Sequence, residues 1–123
     1  MSQALNDIDR RLANVVRIGT IAELDEANAR VKVDLGDSTT DWLPWSTARA
    51  GTMRTWSVPS VGEQVTVFAP SGELASAVVG QSIFQDAHAA PAASQDQTHA
   101  IFPDGTTVDY NSASNTLTVS VAG

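Results

Sequence analysis

The sequence predicts an all-β protein: a small five-stranded OB-like barrel behind a short N-terminal helix, then a separate β segment. Three observations carry that expectation. Five short runs between Val15 and Val79 have strand character at mixed spacing, the content of a small barrel. Asp86 to Gln97 is small, polar and Pro-containing, which is linker composition. Beyond it lie two alternating runs with too few apolar side chains to close a core, and an isolated pair of strands is marginal in water.

Leu5, Ile8 and Leu12 are spaced three and four apart with Asp and Arg between them, so residues 3–14 are expected to form a short amphipathic helix that needs a surface to dock on. Val16, Ile18, Thr20 and Ala22 alternate with Arg17, Gly19, Ile21 and Glu23 in the first strand. Arg30-Val31-Lys32-Val33-Asp34-Leu35 alternates charged and apolar residues, the mark of a half-buried strand. The polar connection Asp25-Glu26-Ala27-Asn28 makes these two an antiparallel hairpin. Asp41 to Trp45 is a short strand that Pro44 confines to a sheet edge. A longer excursion follows, from Ser46 to Pro59. Glu63 to Phe68 and Leu74 to Val79 are the last two barrel strands, with Pro70-Ser71-Gly72-Glu73 as the turn between them. After the linker, Phe102-Pro103-Asp104-Gly105 reads as a tight turn, and Thr106 to Tyr110 and Thr116 to Val121 as strands. Val108 and Tyr110 mark one apolar face; Leu117, Val119 and Val121 mark another. The segments are thus 1–14 (helix), 15–85 (barrel), 86–97 (linker) and 98–123 (tail).

A chain of 123 residues with 42% hydrophobic content supports one ordinary domain with an appendage. The net charge is −7, and all seven basic residues lie at or before Arg54. Phosphate binding draws much of its affinity from cations, so this balance argues against nucleic acid and against an anionic membrane surface. Without cysteine there are no disulfides and no thiolate metal sites. The first residues lack the apolar centre of a signal peptide, and no apolar run approaches the ~20 residues of a membrane span. The chain is therefore expected to be soluble, made in the cytoplasm, and not stably inserted in a membrane.

All three tryptophans fall within fifteen residues: Trp42, Trp45 and Trp56. With Arg49 and Arg54 they could form a stacking platform for an oligosaccharide or single-stranded nucleic acid on an OB barrel. The plainer reading has the tryptophans filling the barrel core and rim, with the arginines paired to Asp37 or Asp41. It is preferred, because two arginines in an acidic chain make a thin electrostatic funnel. The carboxylate groups Glu23/Asp25/Glu26 and Asp34/Asp37/Asp41 sit at turns, where Asp serves the backbone. His88 and His99 are eleven apart and flank the linker, without a supporting set of ligands. Ser71 lacks a nucleophile elbow, and Gly62 and Gly72 form no phosphate loop. No catalytic constellation emerges, and an enzyme is not expected.

Asn14-Val15-Val16-Arg17-Ile18-Gly19-Thr20-Ile21, followed by Ala29-Arg30-Val31-Lys32-Val33, resembles the opening of the phage baseplate assembly protein V family. Thr40-Asp41-Trp42-Leu43-Pro44-Trp45, Arg49-Ala50-Gly51, Trp56, Pro59 to Val65 and Pro70-Ser71-Gly72-Glu73-Leu74 resemble its central signature. The resemblance covers about residues 12–84 and is specific as a combination. It implies the central tail spike of contractile-tail bacteriophages and tailocins, with type VI secretion spikes as more distant relatives. The implied architecture is an OB-like barrel, a linker and the start of a β-helix or β-prism wound from three chains. The implied role is to cap the tail tube and help it through the host envelope. The implied partners are two further copies, the tail hub and tube and other baseplate proteins, and the implied location is the virion.

Two departures limit the carry-over. Family spikes often hold an apical iron through a His-x-His motif, which this sequence lacks, so no cofactor or metal site is expected within it. A strand running almost to Gly123 suggests a spike cut short. The linker leaves no room for the lysozyme domain that some relatives carry. In the tail, Val108, Leu117, Val119 and Val121 are the expected trimer core, with Tyr110 beside them.

Overall fold

The computed structural model describes residues 2–123, which divide into two compact units, the first ending at Ile83 and the second running from Phe84 to Gly123. The first unit opens with helix α1, Ser2–Asn14, and continues as strands β1 (Val16–Asp25), β2 (Arg30–Asp34), β3 (Leu43–Pro44), β4 (Gln64–Phe68) and β5 (Val78–Ser82). They form one antiparallel sheet in the order β3-β2-β1-β4-β5. The sheet curls until its ends meet: Trp45, just past β3, bridges Val79 in β5, and the Ser46 amide donates to the Val79 carbonyl at 2.8 Å. This is the curled, OB-like architecture expected. β3 is the edge strand that Pro44 foretold, since proline cannot donate to a second neighbour.

The strand period of two sorts side chains to opposite faces. Val31 and Val33 on β2, Ile21 on β1, Val65 and Val67 on β4 and Val79 on β5 turn inward and are almost fully buried, with Leu43 closing the end. Each such side chain contributes about 1.5–3 kcal/mol relative to exposure. Close packing extends to the backbone. A Cβ at Gly19 would come within 2.5 Å of the Asp34 carbonyl oxygen, so the β1–β2 crossing admits only glycine there. The β1 register shifts between Ile21 and Glu23, and that irregularity adds curl to the strand.

One strand lies elsewhere than expected. Leu74–Ser76 is a 3-10 turn, preceded by another at Pro70–Gly72, and β5 begins only at Val78. Leu74-Ala-Ser-Ala-Val is mostly apolar and leads straight into Val79, so its composition suits a strand while its backbone bends to bring Ala77 into the core.

The second unit is a three-stranded antiparallel sheet, β6 (Gln97–Ile101), β7 (Thr107–Asn111) and β8 (Thr116–Ser120), in sequence order. The tight turn stands where it was expected: the Phe102 amide donates to the Thr106 carbonyl at 2.8 Å and the Gly105 amide to the Phe102 carbonyl at 2.9 Å. At the β7–β8 turn, Asn111 Oδ1 accepts from the amides of Ala113 and Ser114 at 3.0 and 3.2 Å. β6 was not expected, because Gln97-Thr98-His99 carries no apolar side chain to signal it.

Candidate interaction surfaces

In the second unit, register gathers the apolar residues of the three strands on one face, Ile101 excepted. Ala100, Val108 and Val119 form one cross-strand row; Thr98, Tyr110 and Leu117 form the next. The two apolar faces expected from the separate strands are therefore a single face. Leu117 and Val119 are exposed, Val108 is half-buried, and Val121 lies past the end of β8 and is also exposed. The opposite face is polar except at its margin, where Ile101 pairs Thr107 and is exposed. His99 Nδ1 lies 2.9 Å from Asp109 Oδ1, and Gln97 Nε2 donates to the same oxygen at 2.9 Å. Asp104 at the β6–β7 turn accepts from the Thr106 amide, which holds its carboxyl below the ordinary value of 3.8.

In the first unit, α1 is fastened by one side. Arg11 pairs with Asp7 at 3.1 Å and reaches Glu73 at 3.4 Å. Gly72, at φ +74°, lets the Arg11 backbone lie directly on it, where any Cβ would overlap the Arg11 carbonyl. Arg10 donates to Asp7, and with the nearby Arg11 charge this lowers the Asp7 carboxyl below its ordinary value. Leu5, Ile8 and Leu12 remain exposed, so the apolar stripe of the helix is left largely uncovered by its own unit. Arg17 secures the join of helix and sheet. It donates to Asn14 Oδ1 at 2.7 Å and to Asp37 Oδ1 at 2.9 Å, and so lowers the Asp37 carboxyl.

The tryptophans do not form one platform. Trp45 packs against the core from the rim, and its ring lies 5.5 Å from that of Trp56 at 53°. Trp56 itself is 65% exposed. Trp42 is turned to Lys32, whose ammonium stands 4.9 Å over its ring. Asp37 is taken by Arg17, and the Asp41 carboxylate accepts from the Trp42 amide, so the pairing expected for Arg49 and Arg54 is not formed. Among the described residues, the guanidinium groups of Arg49 and Arg54 have no hydrogen-bond or ion-pair partner. Arg30, by contrast, donates to the Asn28 and Ala29 carbonyls, and Lys32 pairs with Glu23. Composition could not have distinguished these cations, since their partners are set by the backbone turn at Asn28 and Ala29 and by the pairing of β1 with β2.

No described helix is long and apolar enough to cross a membrane. Residues 17–84, more than half of the chain, match the family described as the type VI secretion system/phage-baseplate injector OB domain. Over 116 residues, covering 94% of this chain and 55% of the relative, the sequence is 43% identical to the spike protein of Escherichia phage P2. The chain thus spans about half the length of that relative. The matched residues span the curled sheet from β1 to β5, the same stretch whose strand order and edge bridge are described above. On this combined ground the chain belongs to the phage baseplate assembly protein V family.

Proposed function

We propose that this chain is a structural, non-enzymatic part of a contractile phage tail baseplate, the base of a homotrimeric central spike that caps the tail tube and helps it pierce the host envelope. The observation that carries this reading is the uncovered apolar face of the second unit, with Val108, Leu117, Val119 and Val121 on or beside a sheet too thin to cover it. An apolar face of this kind persists in a soluble protein when something lies on it. Three copies around a common axis would bury those residues, and β6 and β8 carry no Lys or Arg to discourage pairing at their edges. Membership of the family and likeness to a spike protein support the same reading. On this reading the chain requires no cofactor of its own, its partners are the tail hub, tube and neighbouring baseplate proteins, and it ends in the virion after synthesis in the host.

Light scattering at micromolar concentration tests the proposal. A mass three times the 12.9 kDa of one chain is expected, falling to that of a single chain in Val119→Asp. A wild-type mass of one chain would overturn it. Cell-wall hydrolysis by the purified chain that is lost on one carboxylate substitution would overturn the non-enzymatic part.

A further inference from the structure

The excursion of residues 46–59 combines three features that occur together nowhere else among the described residues. It is internally braced: Thr47 Oγ1 donates to the Thr55 carbonyl at 3.0 Å, the Thr55 amide donates to the Arg49 carbonyl at 3.0 Å, and the Arg49 amide donates to Thr55 Oγ1 at 3.2 Å. Ala50 and Arg54 form a bridge across its tip. It also displays Met53 and Trp56, more than half exposed, with Trp56 held from behind by the Trp45 ring. Finally, it carries the two cations left without partners, Arg49 and Arg54, while the other five engage carboxylates or carbonyls.

Arg, Trp and Met held in a rigid presentation are the residues that dominate protein–protein interfaces. Bracing the loop in advance removes the ordering cost of docking. Unpaired guanidinium groups in a chain of net charge −7 call for carboxylates, and a copy of this chain, with 14 acidic residues against 7 basic ones, supplies them. Proximity favours a copy too. Residues 83–96 separate β5 from β6. Fully extended, such a segment spans at most about 50 Å. First units tethered to a three-fold tail would therefore be held together at an effective concentration on the order of millimolar.

We infer that residues 46–59 form a second contact between copies, in which Arg49 and Arg54 meet carboxylates on the first unit of the neighbouring copy and Trp56 is buried at the centre. This rests on the three-fold assembly proposed above. A glycan would use the tryptophan face without needing the arginines, and a nucleic acid would need more cations than two.

Acrylamide quenching of Trp56 tests the inference in the full-length chain, with the Trp56 signal taken as the difference between the parent and Trp56→Phe and with masses measured on the same samples. In the trimer, Trp56 should be quenched at least about two-fold less than in the dissociated Val119→Asp chain, because an interface centre excludes the quencher. The Arg49→Ala/Arg54→Ala double variant alters only exposed side chains, and it should stay trimeric through its tail while Trp56 returns to the quenching of the dissociated chain. A wild-type trimer in which Trp56 is as accessible as in Val119→Asp would overturn this inference and leave the three-fold tail standing. Protection that persists in the double variant would overturn the role of the arginines. A wild-type chain of single mass would overturn both readings.

Discussion

Trp45 and Val79 are bridge partners, and through them the two ends of the five-stranded sheet become one curled surface. Val79 lies at the meeting point of both neighbours, pairing Val67 on β4 and receiving the Ser46 amide from beyond β3. Truncating it removes apolar contact on both sides. Val79→Ala should cost about 2 kcal/mol in urea unfolding followed by tryptophan fluorescence, with the slope against denaturant unchanged.

Gly72 matters more to the seating of α1 than the ion pair beside it. An alanine there meets two obstacles, a left-handed φ of +74° and the Arg11 carbonyl. Gly72→Ala should destabilise the first unit by about 2 kcal/mol or release the helix, which far-UV circular dichroism would show as lost helical signal. Glu73→Ala removes only a 3.4 Å contact between half-exposed groups and should cost well under about 1 kcal/mol. Equal effects from the two substitutions would mean that the backbone contact does not fix the helix.

Ala29, in the β1–β2 turn, stands at φ 54°. Left-handed geometry costs an alanine about 1–2 kcal/mol, and a glycine adds about 0.5–1 kcal/mol of lost freedom on folding. The difference favours glycine. Ala29→Gly should raise stability by up to about 1 kcal/mol in thermal unfolding.

Asp7, Asp37 and Asp104 all have carboxyls lowered below 3.8 in the folded chain: Asp7 by Arg10 and Arg11, Asp37 by Arg17, Asp104 by the Thr106 amide. A lowered folded value means that the unfolded chain takes up protons first. Their stabilisation is therefore complete above the ordinary carboxylate value and is lost as pH falls through the folded values. Denaturant midpoints should be insensitive to these groups above about pH 5 and decline below about pH 4. Arg17→Ala should flatten the Asp37 part of that decline, because it removes the cause of the lowered value.

The hairpin, the edge position of β3 and the inward valines could be read directly from the text. Arg30 to Asp34 alternates without interruption, and Pro44 permits only one hydrogen-bonded side. The start of β5 is not legible because Leu74 to Val79 lacks a clear alternation, so nothing local separates its 3-10 turn from its strand. β6 was missed because Gln97, Thr98 and His99 are defined by pairing with β7 and not by their own hydropathy. The candidate surfaces divide in the same way. The apolar tail residues were visible one strand at a time, but their union on one face depends on register. That Arg49 and Arg54 are left over emerged only once the partners of Arg17 and Lys32 were known.

The second unit's sheet has two different outer strands, β6 on one side and β8 on the other. In the three-fold assembly proposed above, pairing along those margins would be head-to-tail, β8 of one molecule against β6 of the next. Contacts of that kind carry no internal stop: they terminate when a ring closes and otherwise elongate into fibres. Closure at three is thus what would keep the proposed assembly a discrete particle. Any substitution that alters the turn angle between successive molecules should show itself as filament growth under the electron microscope, before it appears as unfolding.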